Sequence, residues 1–264
     1  MTNDRFNYKL TIAYDGTQYS GWQIQPNAIS IQELIQKAIQ TILRQEITLI
    51  GSGRTDAGVH AMGQIAHFIS DKNVDLYRFL GSLNGILPRD IRIMHIEQVP
   101  LSFHAQCSAI DKTYHYHIYL DKIHSPFKRF HSWHLHEKCN VDLLKDASQL
   151  FVGTRDFTSF ANEAHVGCAA RNPVRTLQKI DLFDEDGGVC LAFTADGFLY
   201  KMVRNIVGTI VEVGIGKRPL HDIPRLFEVR DRKQAGPAAP PHGLFLMNVN
   251  YPFLKEDPQE KDNA

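Results

Sequence analysis

The chain has 264 residues, 43% hydrophobic and 22% charged, enough for one large or two smaller globular domains with a sizeable core. No apolar run approaches the ~20 residues that span a bilayer, and the first residues lack the apolar stretch of a signal peptide. The four cysteines are scattered without a C-x-x-C pair, which excludes a disulfide framework, gives no zinc pattern and suits a reducing cytoplasm. Twenty-nine basic residues balance 29 acidic ones, so the total argues mildly against a nucleic-acid partner. A neutral sum can still hide a basic face: Lys122, Lys128, Arg129 and four histidines lie between residues 122 and 136 without one acid.

In chain order, Tyr8 to Tyr14 alternates as a strand and Asp15-Gly16 marks a turn. Ser30-x-x-Glu33 is a capping box opening a helix whose apolar stripe is Ile31, Leu34, Ile35, Ala38, Ile39, Ile42 and Leu43. A glycine-rich loop follows, then a strand from Gln64 to Ile69, a helix from Asp75 to Leu83 that stops near Pro88, and a strand from Ile91 to Val99. The second half gives a strand over Thr113–Leu120, a helix over Val141–Leu150, paired strands Thr176–Phe183 and Val189–Ala195 around Asp186-Gly187-Gly188, and a long helix over Leu199–Val213. Residues 236–243, rich in Pro and Gly, fit neither helix nor central strand. Leu244 to Tyr251 is the last strand, and the tail from 253 to 264 has the composition of a disordered segment. These two sets of elements predict an α+β fold of two halves, 1–105 and 106–252, with a ligand cleft expected between them.

The most informative stretch is Gly51-Ser52-Gly53-Arg54-Thr55-Asp56-Ala57-Gly58-Val59-His60-Ala61. Glycines allow close approach of another molecule; the carboxylate can serve as nucleophile or base, and the guanidinium can grip a phosphate or stack on a base. The plain alternative is a turn aspartate bonding its own backbone. Tyr114, in Lys112-Thr113-Tyr114-His115-Tyr116, can hold an unstacked base or simply fill a core in phase with Tyr116 and Ile118. Arg204 lies beside the apolar stripe of its helix, where it can pair with a carboxylate or stay an exposed charge. His131, His134 and His136 cluster with Cys139, but His134 and His136 are read as pointing to opposite sides of one strand or helix turn, so no metal site is expected. The loop has neither a Gly-x-Ser-x-Gly elbow nor the Gly-Lys-Ser/Thr ending of a nucleotide-binding loop.

The loop from Gly51 to Ala61 resembles the catalytic signature of the tRNA pseudouridine synthase A family. In family order come Tyr14-Asp15-Gly16 with Gly21-Trp22-Gln23, Leu83-Asn84 with Leu87-Pro88, Phe103-His104-Ala105, the Tyr114 motif, Phe151-Val152-Gly153 with Asp156-Phe157, residues 202–208 around Arg204, and Gly243-Leu244. The resemblance covers roughly residues 6 to 252. Gln106 stands where the family often has Arg after Phe-His-Ala, and Arg155 where a His commonly precedes Asp-Phe.

The resemblance implies two similar α+β halves forming a continuous, mainly antiparallel sheet with helices on one side. It implies isomerisation of uridine to pseudouridine in the anticodon arm of tRNA, at positions 38, 39 and 40, by a cytoplasmic homodimer. Asp56 is then the nucleophile, Tyr114 stacks on the target base, and Arg204 pairs with Asp56. Arg54 helps extrude the uridine, Leu244 lines the base pocket, and Phe103, His104 and Arg171 contact substrate. The reaction breaks N1–C1′, turns the uracil and joins C5 to C1′ with no redox change, so neither a cofactor nor a metal is required. Two other readings stay open from the residues alone: an RNA-binding module without catalysis, and a hydrolase of small molecules, which would need a second carboxylate or a water-activating metal.

Overall fold

The computed structural model describes residues 5–162 and 172–252. The fold is α+β and mainly antiparallel. It divides into two compact units, residues 1–110 with 247–264, and residues 111–246.

In the first unit, β1 (Phe6–Tyr14) is central. It pairs antiparallel with β3 (His60–Ser70) on one side and β4 (Ile91–Val99) on the other. A two-residue strand, β2 (Ile50–Gly51), adds to β3. Two helices complete the layer. In α1 (Ile31–Leu43) the Ser30 hydroxyl accepts from the Glu33 N–H, as the capping box predicts, and Ile31, Ile35, Ala38, Ile39 and Leu43 are buried. In α2 (Leu76–Ile86) Asp75 caps the start, and Leu87, extended ahead of Pro88, ends it. Tyr8, Leu10 and Ile12 are fully buried, so one face of β1 forms the floor of this core.

The second unit has the strand order β5-β9-β8-β7, all antiparallel: β5 (Asp111–Tyr119), β9 (Gly188–Ala195), β8 (Val174–Glu185) and β7 (Gly153–Asp156). A short parallel strand, β6 (Trp133–His134), joins β5. Glu185 pairs with Gly188, so Asp186-Gly187 is a two-residue hairpin, and Gly187 supplies the positive φ of 75° it requires. Helix α3 (Val141–Gln149) and helix α4 (Met202–Gly214) carry the apolar stripes read from the sequence, and α5 (Ile223–Val229) follows. The last strand, β10 (Leu244–Asn250), gives its first three residues to this unit and the rest to the other. Among the described residues no helix is long and apolar enough to cross a membrane.

Helix α4 starts three residues later than the periodicity suggests. Leu199 is buried and continues the apolar spacing, but Lys201 is left-handed at φ 59° and breaks the helical backbone before Met202. The strands β2, β6 and β7 and the seven-residue α5 escape the sequence because none spans more than two periods of its own pattern.

Candidate active site

The Asp56 loop is fixed from several directions within its unit. At its entry Ser52 N–H donates to the Ile65 carbonyl at 2.7 Å, and Ser52 Oγ donates to Gln64 Oε1 at 2.7 Å. Gln64 Nε2 then reaches the Gly53 carbonyl at 3.0 Å. At its middle Thr55 Oγ1 bonds Tyr14 OH at 2.8 Å, and its carbonyl accepts from Trp22 N–H at 3.1 Å. At its exit Gly58 N–H donates to the Tyr19 carbonyl, and His60 Nδ1 accepts from Gly16 N–H at 3.0 Å. Ser52, Thr55, His60 and Gln64 are buried, so the loss of a partner there would leave a buried polar group unpaired.

Two glycines make the approach possible. A Cβ on Gly16 would overlap the Val59 carbonyl, and one on Gly21, at φ 89°, would lie 2.5 Å from the Thr55 carbonyl oxygen. The family motifs at 14–16 and 21–23 are therefore the cradle of the loop. Asp56 is half-buried between the buried Thr55 and the exposed Ala57, and Arg54 is exposed.

The second unit places Tyr114 and Arg204 on one frame. Tyr114, Tyr116 and Ile118 share the inward face of β5 and are buried, with Tyr114 meeting Phe198 edge-on at 5.0 Å. Arg204 sits in the first turn of α4. Its Nε donates to the Ala239 carbonyl at 2.7 Å, and Ala239 N–H returns a bond to the Arg204 carbonyl at 2.9 Å. Tyr116 OH donates to the neighbouring Pro240 carbonyl at 2.8 Å. Burial pushes the Tyr116 hydroxyl well above its usual pKa, against the opposing pull of the Arg204 charge. The Pro-rich segment 236–243 thus ties helix to strand through two consecutive carbonyls. It comes close because Gly208 and Gly236 lack side chains: a Cβ on Gly208 would overlap the Pro237 carbonyl. Leu244, buried, follows at once.

Lys112, two residues before Tyr114, is pushed down to about 8, chiefly by burial and then by the Arg175 charge. Phe103 is 3% exposed and packs on Tyr251 at 5.0 Å and edge-on to His67 at 5.9 Å. His104 organises its own turn, with Nδ1 accepting from the backbone of Gln106 and Cys107. Arg171 lies outside the described residues.

Sequence reasoning did not find Gln64 or the Ala239 and Pro240 carbonyls, and it named Tyr14 only within a motif, without its bond to Thr55. A glutamine at an inward position of an apolar strand next to the glycine loop is the signal that could have marked the first. The histidine argument needs correction: the His134 and His136 rings lie 4.1 Å apart rather than on opposite sides. Residues two apart share a face of an extended chain, so the spacing of the two histidines itself brings their rings together.

A carboxylate in a glycine-bounded loop of one unit, and an aromatic and a guanidinium on one frame of the other, are residue types with the chemistry to act on a nucleic-acid base. Residues 10–107 and 147–252 match the family model described as tRNA pseudouridine synthase. The chain is 59% identical over 245 residues to tRNA pseudouridine synthase A 1 of Protochlamydia amoebophila (strain UWE25), covering 92% of this chain and 96% of that one. It is 44% identical to tRNA pseudouridine synthase A of Geobacter sp. (strain M21), with 93% and 99% covered. It is 43% identical to tRNA pseudouridine synthase A of Acetivibrio thermocellus, again with 93% and 99% covered. The chain belongs to the tRNA pseudouridine synthase family, and so to the isomerases that act on tRNA.

Proposed function

We propose that the chain converts uridine to pseudouridine at positions 38, 39 and 40 of the tRNA anticodon arm. Asp56 is the nucleophile, Tyr114 the stacking partner of the flipped base, and Arg204 the cation that keeps the carboxylate charged. Arg54, Phe103, His104, Leu244 and Arg171 serve in holding substrate, and the working form is a cytoplasmic homodimer. The observation that carries this reading is the family match, which includes the whole loop from Gly51 to Ala61. The loop's geometry supports it: a carboxylate held by its backbone neighbours needs little reorganisation to attack. Rotation of a freed uracil needs a face to lie on, and Tyr114 on a strand is a stiff one. Extruding the base costs a few kcal/mol, least where pairing is weak, which favours targets at a stem–loop junction.

The test is to incubate the purified protein with unmodified tRNA bearing uridine at those positions and to map pseudouridine by chemical labelling. Wild type modifies them. Asp56→Asn binds the tRNA with unchanged affinity and loses roughly 10⁴-fold or more in turnover. Unchanged turnover in that variant would remove the nucleophile from the proposal, and product elsewhere in the tRNA would remove the positions.

A further inference from the structure

Strand β5 has a second face. His115 and His117 alternate with the buried tyrosines and project to the opposite side of the sheet. In the β5–β9 register His117 stands directly across from Cys190, and His115 across from Ala192. One ligand-capable atom from each of His115, His117 and Cys190 lies within 4.8 Å of the other two. Cys190 is 2% exposed and the imidazoles are half-buried.

We propose that His115, His117 and Cys190 form a binding site for a borderline-soft divalent cation, with zinc as the ion of choice. Two imidazoles and a thiolate are a donor set suited to zinc, and three protein ligands leave the fourth tetrahedral position to water or an external anion. Bond lengths of about 2.0 Å to nitrogen and 2.3 Å to sulfur set ligand atoms roughly 3.5 Å apart. Closing from 4.8 Å takes about 1 Å of side-chain rotation on a fixed two-strand ladder. Glu185 Oε2 lies 2.8 Å from His117 Nδ1, the carboxylate partner that commonly orients a metal-bound imidazole. His117 and Glu185 also border an open cleft of about 430 Å³ together with Lys128, His131 and Ser132, which gives an ion access from solvent.

On binding, the cation must displace the Cys190 thiol proton to solvent, as zinc does with cysteine ligands. The isomerisation uses none of these three groups, and the proposal stands apart from it.

The test uses the full chain, stripped with a chelator and titrated with Co²⁺ and then Zn²⁺. One equivalent of Co²⁺ should raise a thiolate-to-metal charge-transfer band in the near ultraviolet, and Zn²⁺ should abolish it by displacement. Cys190→Ser should remove the band, and His115→Ala should weaken binding tenfold or more. Cys107→Ser and His134→Ala should leave both unchanged. No band in wild type, or a band that survives Cys190→Ser, would overturn the site. Should Cys190→Ser fail to fold, His117→Gln decides: full-strength binding in that variant overturns the proposal, and a tenfold loss with native circular dichroism supports it.

Discussion

The Asp56 loop and the frame that carries Tyr114 and Arg204 are held by different means. The loop has no ladder of its own, so hydrogen bonds from Gln64, Tyr14, Trp22 and Gly16 fix it point by point. The frame rests on a packed sheet and helix, backed by an aromatic cluster in which Phe151 and Phe160 meet at 4.9 Å and both contact Phe227. Polar ties fix a position and tolerate little change. Apolar packing supplies stability and spreads any strain over many neighbours.

The widest gap between the regions should appear on core truncation. Phe151→Ala removes a fully buried ring and should cost about 4 kcal/mol in urea unfolding. A cost under about 1 kcal/mol would deny the cluster its role.

Acid probes the polar region. His67, on β3, accepts from Ala105 N–H at Nδ1 and is lowered to about 4, chiefly by burial and then by the His104 charge. A histidine with a depressed folded pKa keeps its contribution above 6.5 and loses it as pH falls toward 4, because the unfolded chain takes the proton first. The loss is on the order of 3 kcal/mol. His67→Gln should flatten the melting temperature between pH 6.5 and 4; an unchanged slope would assign the acid sensitivity elsewhere.

Gly16→Ala tests the cradle. A methyl overlapping the Val59 carbonyl should cost about 2 kcal/mol and should lower turnover more than tRNA affinity. Equal effects on both would mean that the methyl perturbs RNA contacts rather than the carboxylate.

The mildest change is Tyr116→Phe. Losing its bond to the Pro240 carbonyl should cost about 1 kcal/mol. A cost of 3 kcal/mol or more would show that the frame depends on polar ties as the loop does.

Long periodic elements were legible in the sequence. The strand over Ile91–Val99 and the start of α1 after Ser30 agree residue for residue, because alternation and a capping side chain are local signals. The loop's chemistry was legible as residue types, and the family motifs placed its neighbours. What holds the loop was not legible, since Gln64 is eleven positions from Gly53 and Tyr14 is 41 from Thr55. Such ties depend on strand register, which the sequence pattern does not specify for a polar residue facing inward. The His134–His136 contact, by contrast, was legible and misread: residues two apart share a face of an extended chain, and there the rings meet.

Strand β10 has a consequence for biosynthesis. Residues 1–110 leave the ribosome first, yet their fold is closed by Met247–Asn250, where Ile110 N–H donates to the Asn250 carbonyl and a Cβ on Gly63 would overlap the Met247 carbonyl. At roughly 5–20 residues per second, the 136 residues between them (111–246) take about 7–27 s to synthesise. For that interval the early half carries an unfilled strand position beside β3, an edge open to chaperones or to another nascent chain, while residues 111–246 are contiguous and can finish on their own schedule.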